Sequence, residues 1–147
     1  MEFISKSLED TKSFAKDFLE KIKTAAPPAA GGATVVGLYG NLGSGKTTFV
    51  KCVAKILGVT EHITSPTFVI MKRFKIKDLR FKNLVHVDAY RLKSGEELRK
   101  LGFEKLLADP ANLILVEWAD LIADILPPDH FQLYFKFVNE ATRVIKF

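Results

Sequence analysis

The 147-residue chain has little cysteine and no long apolar stretch. Cys52 is its only cysteine, so no disulfide can form within the chain, which is usual for proteins of reducing compartments. No uninterrupted apolar run reaches the length of about eighteen residues that predicts a transmembrane helix. The sequence becomes charged soon after Met1, without the apolar region of a secretory signal. We therefore expect a cytoplasmic protein.

The sequence also shows no internal repeat, no low-complexity block and no metal-ligand cluster, because its three histidines are scattered at His62, His86 and His130. Apolar residues make up 48% of the chain, which is enough for a real core. The length is typical of one domain, so we expect residues 1–147 to form a single domain.

The net charge is +5, and part of this excess is concentrated in one stretch of eleven residues. This basic stretch contains Lys72, Arg73, Lys75, Lys77, Arg80 and Lys82. Charged side chains of this kind discourage aggregation at the edge of a sheet, so a solvated hairpin or edge strand is one interpretation. Contact with the phosphates of an RNA is the other.

Helical and extended patterns alternate along the chain. Apolar residues at helical spacing predict a helix from Ser7 to about Thr24, with Ser7 as its cap. The β-branched run 34–39 predicts a buried strand, and residues 47–57 predict a helix that stops at Gly58.

The later chain continues this alternation. Ser94 and Glu97 have the spacing of a capping box, which predicts a helix reaching Leu106, and a short helix is expected before Pro127. Strands are predicted over 68–76, 84–90 and 112–118, followed by a hairpin of 131–138 with 142–147. Together with a phosphate-binding loop after an early strand, these elements predict a three-layer α/β P-loop NTPase fold. Its central sheet is expected to be mixed and mostly parallel, with an antiparallel C-terminal hairpin.

The phosphate-binding loop is the run Gly40-Asn41-Leu42-Gly43-Ser44-Gly45-Lys46-Thr47, which matches G-x-x-x-x-G-K-[ST] between a predicted strand and a predicted helix. Glycines let the backbone wrap around phosphate oxygens, and the helix adds the positive end of its dipole. In such a loop Lys46 reaches the β- and γ-phosphates and Thr47 ligates Mg²⁺, while Thr48 can add a hydroxyl contact. We therefore predict a site for ATP or another purine nucleotide.

A P-loop also needs an acidic partner for the metal, and two acids follow apolar strands. Glu117 ends the run 113–116 and Asp88 ends the run 84–87. Because neighbouring buried strands deliver their ends to the same edge of the sheet, either acid can serve the metal.

Other side chains suit a nucleotide-dependent switch. Thr67 lies in a Thr-Ser-Pro-Thr-Phe segment, where a hydroxyl could sense the γ-phosphate. Arg91 and Arg143 are potential stabilisers of phosphate charge.

Three other function classes share parts of this pattern. The guanine-reading motif N-K-x-D of GTPases is absent from the sequence. A small-molecule kinase would need an arginine-rich lid, and no such cluster follows the helix predicted at Ser94. The basic stretch is the only feature that favours a nucleotide-dependent RNA-binding module. Such a module would bind RNA in a strongly salt-dependent way.

Several motifs in one order also match a known family. They are the P-loop continuing through Thr48-Phe49, then Ser65-Pro66-Thr67-Phe68, His86-Val87-Asp88-Ala89-Tyr90-Arg91-Leu92, Glu97-Leu98 with Leu101-Gly102-Phe103, Glu117-Trp118, and Leu126-Pro127. The chain thereby resembles, over nearly its whole length, the TsaE family, formerly called YjeE. These are small bacterial ATPases needed for threonylcarbamoyladenosine in tRNA. The H-x-D-x-Y-R and E-W motifs in this order are the specific part of the match.

The resemblance implies a role for each matching position. Lys46 and the loop amides would hold the phosphates of ATP or ADP, and Thr47 and Glu117 would be the Mg²⁺ ligands. Asp88 would be the catalytic or switch acid, and Thr67 would belong to the switch loop. Supporting or partner-facing roles fall to Tyr90, Arg91 and Trp118, and positions near the nucleotide pocket fall to Thr11 and Arg143.

The resemblance also implies a partner. Proteins of this family act as a cycling switch on the TsaD–TsaB transferase complex and do not themselves attach the threonylcarbamoyl group. ATP binding would favour assembly with the complex, and hydrolysis would reset it. The basic stretch leaves open a direct contact with tRNA.

Overall fold

The computed structural model describes residues 1–63 and 70–147. Within these ranges, the strands are β1 (Glu2–Ser5), β2 (Thr34–Tyr39), β3 (Met71–Lys75), β4 (Asn83–Asp88), β5 (Asn112–Glu117), β6 (Phe131–Phe137) and β7 (Arg143–Lys146). These seven strands form one sheet in the order β1-β7-β6-β2-β5-β4-β3. The helices are α1 (Leu8–Thr24), α2 (Lys46–Ile56), α3 (Gly95–Arg99) and α4 (Phe103–Leu107), with a 3-10 helix over Ala119–Ile125.

The sheet has a parallel centre and antiparallel edges. Strands β6, β2, β5 and β4 are parallel neighbours. Strand β3 is antiparallel to β4, and the hairpin of β6 and β7 is followed by antiparallel β1. The predicted mixed α/β sheet with a C-terminal antiparallel hairpin is therefore confirmed.

Each face of the sheet carries its own core, because side chains alternate along the strands. One core packs α1 and α2 against the sheet through large side chains such as Phe14, Phe18 and Phe49. The other contains Leu98, Phe103 and Ile122 from the helical segments between β4 and β6. These two layers hold the sheet between them and fix the carboxyl ends of the parallel strands at one edge.

Two local predictions are wrong in part. The helix expected from Ser94 to Leu106 is divided into α3 and α4, because Gly102 adopts a left-handed conformation at φ +86°. The Ser94 side chain makes no capping hydrogen bond within the described residues, although its backbone is extended as at a helix cap. By contrast, Ser7 caps α1 as predicted, since its hydroxyl accepts a bond from the Asp10 amide at 3.1 Å.

Strand β1 has no counterpart in the sequence prediction. It is only four residues long and alternates too briefly to give a pattern, and it exists because its backbone pairs with β7. The predicted strand over 68–76 is seen as β3, and its first two residues lie outside the described residues. In the ranges the structure describes, no helix is both long and apolar enough to cross a membrane.

Candidate functional site

The glycine-rich loop joins β2 to α2 and has a backbone that only glycine adopts readily. Gly40, Gly43 and Gly45 have φ values of +140°, +77° and +106°. A Cβ atom on Gly40 would lie 2.4 Å from the carbonyl oxygen of Phe135 and 2.8 Å from Ser44 Oγ. The first glycine of the motif is therefore required both by conformation and by the close approach of β6.

Lys46 begins α2 and turns its amino group back into this loop. The side chain is buried, and Nζ donates hydrogen bonds to the carbonyl oxygens of Gly40 and Asn41. The Trp118 ring lies over the same ammonium, with its centroid 3.9 Å from Nζ. Burial lowers the pKa of Lys46, whereas the carboxylates of Glu117 and Asp88 act in the opposite direction. A cation is thus held at the mouth of the loop.

Thr47 and Glu117 meet across the gap between α2 and β5. The Thr47 hydroxyl donates to Glu117 Oε1 at 2.7 Å. The other carboxylate oxygen, Oε2, lies 2.6 Å from Nε2 of His86 on β4. His86 and Glu117 are both almost fully buried. Both oxygens of Glu117 are therefore engaged by neighbouring elements.

Asp88 lies beside this pair, because Asp88 and Glu117 are register partners on parallel strands. Its Oδ1 accepts a hydrogen bond from the Tyr90 amide at 3.0 Å, which fixes the carboxylate at the end of β4. Burial raises the pKa of Asp88, the Tyr90 amide opposes that shift, and the neighbouring Glu117 carboxylate adds to it. The group is consequently a stronger proton acceptor than an exposed aspartate when ionised.

A cleft of about 440 Å³ unites most of the residues predicted from the sequence. It is lined by Leu42, Gly43, Ser44, Gly45, Lys46, Thr47, Thr48, Asp88, Tyr90, Arg91, Glu117, Trp118 and Arg143. The exposed Tyr90 ring and the Trp118 ring lie 5.0 Å apart. Thr67, predicted to belong to the switch, lies outside the described residues.

Thr11 lines a second, smaller cavity of about 170 Å³ that also borders Gly45 of the loop. Gly45, Thr48 and Arg143 border both cavities, so the two are adjacent. The Thr11 hydroxyl is 2.7 Å from that of Ser5, which ties α1 to β1. Thr11 and Arg143, both predicted near the nucleotide pocket, therefore line cavities that share a border.

Two buried polar atoms beside the loop have no hydrogen-bond partner among the described residues. They are the hydroxyl of Ser44 and Nε of Arg143. Such atoms are costly unless something satisfies them, and both face the loop that the motif assigns to phosphate. An anion with several acceptor oxygens fits this arrangement.

The oxygen donors of Thr47 and Glu117 fit Mg²⁺, which prefers hard oxygen ligands. Within the described residues, no group of three or more His, Cys, Asp and Glu side chains could hold a metal by itself. Mg²⁺ commonly takes few protein ligands and completes its shell with phosphate oxygens and water.

The contact of His86 with Glu117 was not predicted from the sequence. The three histidines are scattered along the chain, although His86 and Asp88 are two residues apart on one strand and therefore share a face of the sheet. That spacing was the available signal. The contact with Glu117 depends on the pairing of β4 with β5, which the sequence pattern does not specify.

The basic stretch is only partly available for a ligand. Arg80 Nη1 donates to the carbonyl oxygens of Ile22, Lys23 and Ala25, where it caps the C-terminal end of α1. Lys72 pairs with Glu61 at 3.5 Å. The side chains of Arg73, Lys75, Lys77 and Lys82 are exposed on or beside edge strand β3.

The fold and site together define a protein of the P-loop class, with the loop between β2 and α2 at the carboxyl edge of a parallel sheet. The family model described as threonylcarbamoyl adenosine biosynthesis protein TsaE matches residues 5–145. The chain therefore belongs to the TsaE family.

Individual relatives agree with this assignment. The chain is 36% identical over 139 residues to the tRNA threonylcarbamoyladenosine biosynthesis protein TsaE of Rickettsia typhi, covering 94% of this chain and 88% of the relative. It is 38% identical to the protein of that name from Bacillus subtilis, and the match covers 95% of this chain and 79% of the relative. The crystal structure of Bacillus subtilis YdiB superposes with a TM-score of 0.70 at 32% identity, covering 99% of this chain and 82% of that one.

Proposed function

We propose that this chain binds and hydrolyses Mg-ATP and acts as a cycling switch on the TsaD–TsaB transferase complex during threonylcarbamoyladenosine modification of tRNA in the cytoplasm. The observation that carries the proposal is the meeting of Lys46, Thr47, Asp88 and Glu117 at one cleft. These are the cation, hydroxyl and two carboxylates that a phosphoryl-transfer site needs.

Phosphate binding falls to the loop and to Lys46. The ammonium that now bonds to the carbonyl oxygens of Gly40 and Asn41 would exchange these contacts for β- and γ-phosphate oxygens. The N-terminus of α2 adds a favourable dipole for the same negative charge. Ser44 Oγ and Arg143 Nε, which are buried without partners among the described residues, are positioned to satisfy further oxygens.

Thr47 and Glu117 would hold Mg²⁺, since their oxygens meet at the cleft. When bound, the ion would neutralise charge on the phosphate oxygens. The residues around it do the positioning: α2 fixes the Thr47 hydroxyl, and β5 brings the Glu117 carboxylate to it.

Asp88 would orient the attacking water and accept its proton. The carboxylate is fixed by the Tyr90 amide and is partly shielded from solvent at the end of β4. Its raised pKa suits a group that must take up a proton in a buried site. Glu117 is less suited to accept this proton, because its two oxygens already form hydrogen bonds with Thr47 and His86.

The switch would act at the rim of the cleft. The rings of Tyr90 and Trp118 pack against each other at an angle of 44°, and Trp118 also lies over Lys46, so a change at the phosphates would reach an aromatic surface that is partly exposed. A ligand can bias a partner interface when it contacts two states of that surface differently. Thr67 would contribute to the same response as part of the switch loop.

A direct contact with tRNA is a separate part of the proposal and is supported by the exposed lysines and arginine near β3. Arg80 donates hydrogen bonds to carbonyl oxygens at the end of α1, and Lys72 forms an ion pair with Glu61. The contact with tRNA would therefore depend mainly on Arg73, Lys75, Lys77 and Lys82. It would weaken as the salt concentration rises.

The test is ATP turnover by the purified chain, alone and with the TsaD–TsaB complex and tRNA, with Lys46→Ala as the blank. We expect slow turnover that changes when the complex is added, and repeated rounds of tRNA modification that require the chain. Turnover that ignores the complex, or that needs a small-molecule acceptor, would contradict the switch and favour a kinase.

A further inference from the structure

The Glu117 carboxylate is held from two sides, by Thr47 and by His86. Thr47 is a proposed Mg²⁺ ligand, whereas His86 does not itself contact the proposed nucleotide or metal. Oε1 accepts from the Thr47 hydroxyl at 2.7 Å, and Oε2 lies 2.6 Å from His86 Nε2. We propose that His86 is a positioning residue that fixes the Glu117 carboxylate in the orientation needed to bind Mg²⁺. The inference rests on the proposed function, because it concerns the same metal ligand.

In the contact between His86 and Glu117, the imidazole ring of His86 carries the hydrogen. An ionised carboxylate only accepts hydrogen bonds, so His86 Nε2 must carry a hydrogen and donate it to Oε2. A bond to a charged acceptor is short and strong, which agrees with the distance of 2.6 Å. The ring therefore restrains rotation of the carboxylate about its last side-chain bond.

Burial makes this restraint consequential. The side chains of His86 and Glu117 are 5% and 3% exposed, so water cannot easily replace either partner. A buried carboxylate oxygen without a donor is costly, and the group would turn toward any other cation or donor in reach. Lys46 is the nearby alternative, because its ammonium is attracted electrostatically by Glu117. His86 thus keeps the carboxylate aimed at Thr47.

The sheet explains why a histidine on β4 can reach a carboxylate on β5. Asp88 is the register partner of Glu117, and His86 is the partner of Leu115, one pleat earlier. The His86 side chain must therefore extend along the strand direction by one pleat to reach Glu117. Its distal ring nitrogen, Nε2, spans that distance. A shorter side chain at the same position would leave the donor too far back.

Two amide substitutions separate this role from a general packing role. The amide nitrogen of His86→Gln extends toward the position of Nε2, whereas that of His86→Asn ends near Nδ1. Both substitutions are polar and smaller than histidine, so they differ chiefly in whether a donor reaches Glu117. Val85→Ala is the control for a general loss of stability in β4. Val85 is buried on the face of the strand opposite His86, so this substitution removes packing without touching Glu117.

The measurement is binding of a fluorescent ADP analogue, first in EDTA and then across a Mg²⁺ titration, with thermal unfolding of each variant alongside. We expect His86→Asn to raise the Mg²⁺ concentration for half-maximal tightening by about 10-fold or more, as loss of an outer-shell partner does. Binding in EDTA should stay within about 2-fold of wild type, because the loop and Lys46 are untouched. His86→Gln should restore most of the Mg²⁺ response, and Val85→Ala should leave that response unchanged while lowering stability.

Three results would overturn the inference. One is a Mg²⁺ dependence of His86→Asn that equals wild type. Another is an equal loss in the Gln and Asn variants, which would assign the effect to the ring or to packing. The third is a Val85→Ala response that matches His86→Asn. If the wild-type chain binds the analogue with no Mg²⁺ dependence, the proposed metal site itself fails, and that failure is visible before any variant is compared.

Discussion

Asp88 and Glu117 lie directly opposite each other at the ends of two parallel strands, yet only Glu117 accepts the Thr47 hydroxyl. The sequence left both acids as candidates for the metal, since each follows an apolar run. The contact with Thr47 favours Glu117 as the ligand, and the Tyr90 amide fixes Asp88 in a separate position. Two neighbouring carboxylates can thereby take different tasks, which leads to different expectations for their variants.

Lys46→Ala should weaken nucleotide binding by about 100-fold or more, equivalent to about 2.7 kcal/mol, and abolish ATP turnover. The reason is the loss of the ammonium group that Lys46 places at the mouth of the loop. Isothermal titration with ADP and a phosphate-release assay would measure both effects. Lys51→Ala removes an exposed lysine from the same helix and should leave both unchanged. Full turnover in Lys46→Ala would contradict the phosphate assignment.

Glu117→Ala should abolish Mg-ATP turnover and remove the Mg²⁺ dependence of nucleotide binding. It should also lower stability by about 1–3 kcal/mol, because His86 and Thr47 lose a buried acceptor. Urea unfolding measures the second effect independently of the first. Glu104→Ala, an exposed acid on α4, is the matched control. Turnover retained at the wild-type rate would rule out Glu117 as a metal ligand.

Asp88→Asn should keep nucleotide binding and lower turnover by about 100-fold or more. The amide oxygen can still accept from the Tyr90 N–H, so the end of β4 keeps its shape, while the group can no longer take a proton. Single-turnover hydrolysis together with ADP affinity distinguishes these effects. Loss of ADP binding in this variant would instead give Asp88 a structural role.

Asp78→Asn should lower the free energy of unfolding by about 1 kcal/mol at neutral pH. Burial alone would raise the pKa of Asp78, but its bonds from Lys23 and from the Arg80 and Phe81 amides outweigh burial and lower that pKa. A lowered pKa in the folded state stabilises the protein above the ordinary aspartate pKa, and the contribution is lost as the pH falls through the folded value.

The difference between Asp78→Asn and wild type should therefore shrink when urea unfolding is repeated at about pH 3. Asp17→Asn, an exposed aspartate on α1, should show no such difference at either pH. A deficit for Asp78→Asn that stays constant between the two pH values would mean that its charge is not the source of the stabilisation.

Local chemistry determined much of this protein in advance. The spacing of glycines, Lys46 and Thr47 specified the loop, because a phosphate-binding turn needs residues that adopt positive φ followed by a helix start. Apolar periodicity specified α1, the central strands and the C-terminal hairpin, since each pattern reflects which face of an element is buried. Gly102, by contrast, breaks the helix predicted after Ser94, and periodicity alone did not reveal this.

The tertiary structure decided what depends on strand pairing. The parallel register of β4 and β5 brings His86 and Asp88 to Glu117, and the packing of α2 on the sheet brings Thr47 to the same carboxylate. Pairing with β7 also creates β1, which is too short to be specified by its own pattern. Sequence fixes which faces must be buried, but contacts between residues distant along the chain arise only when those faces pack together.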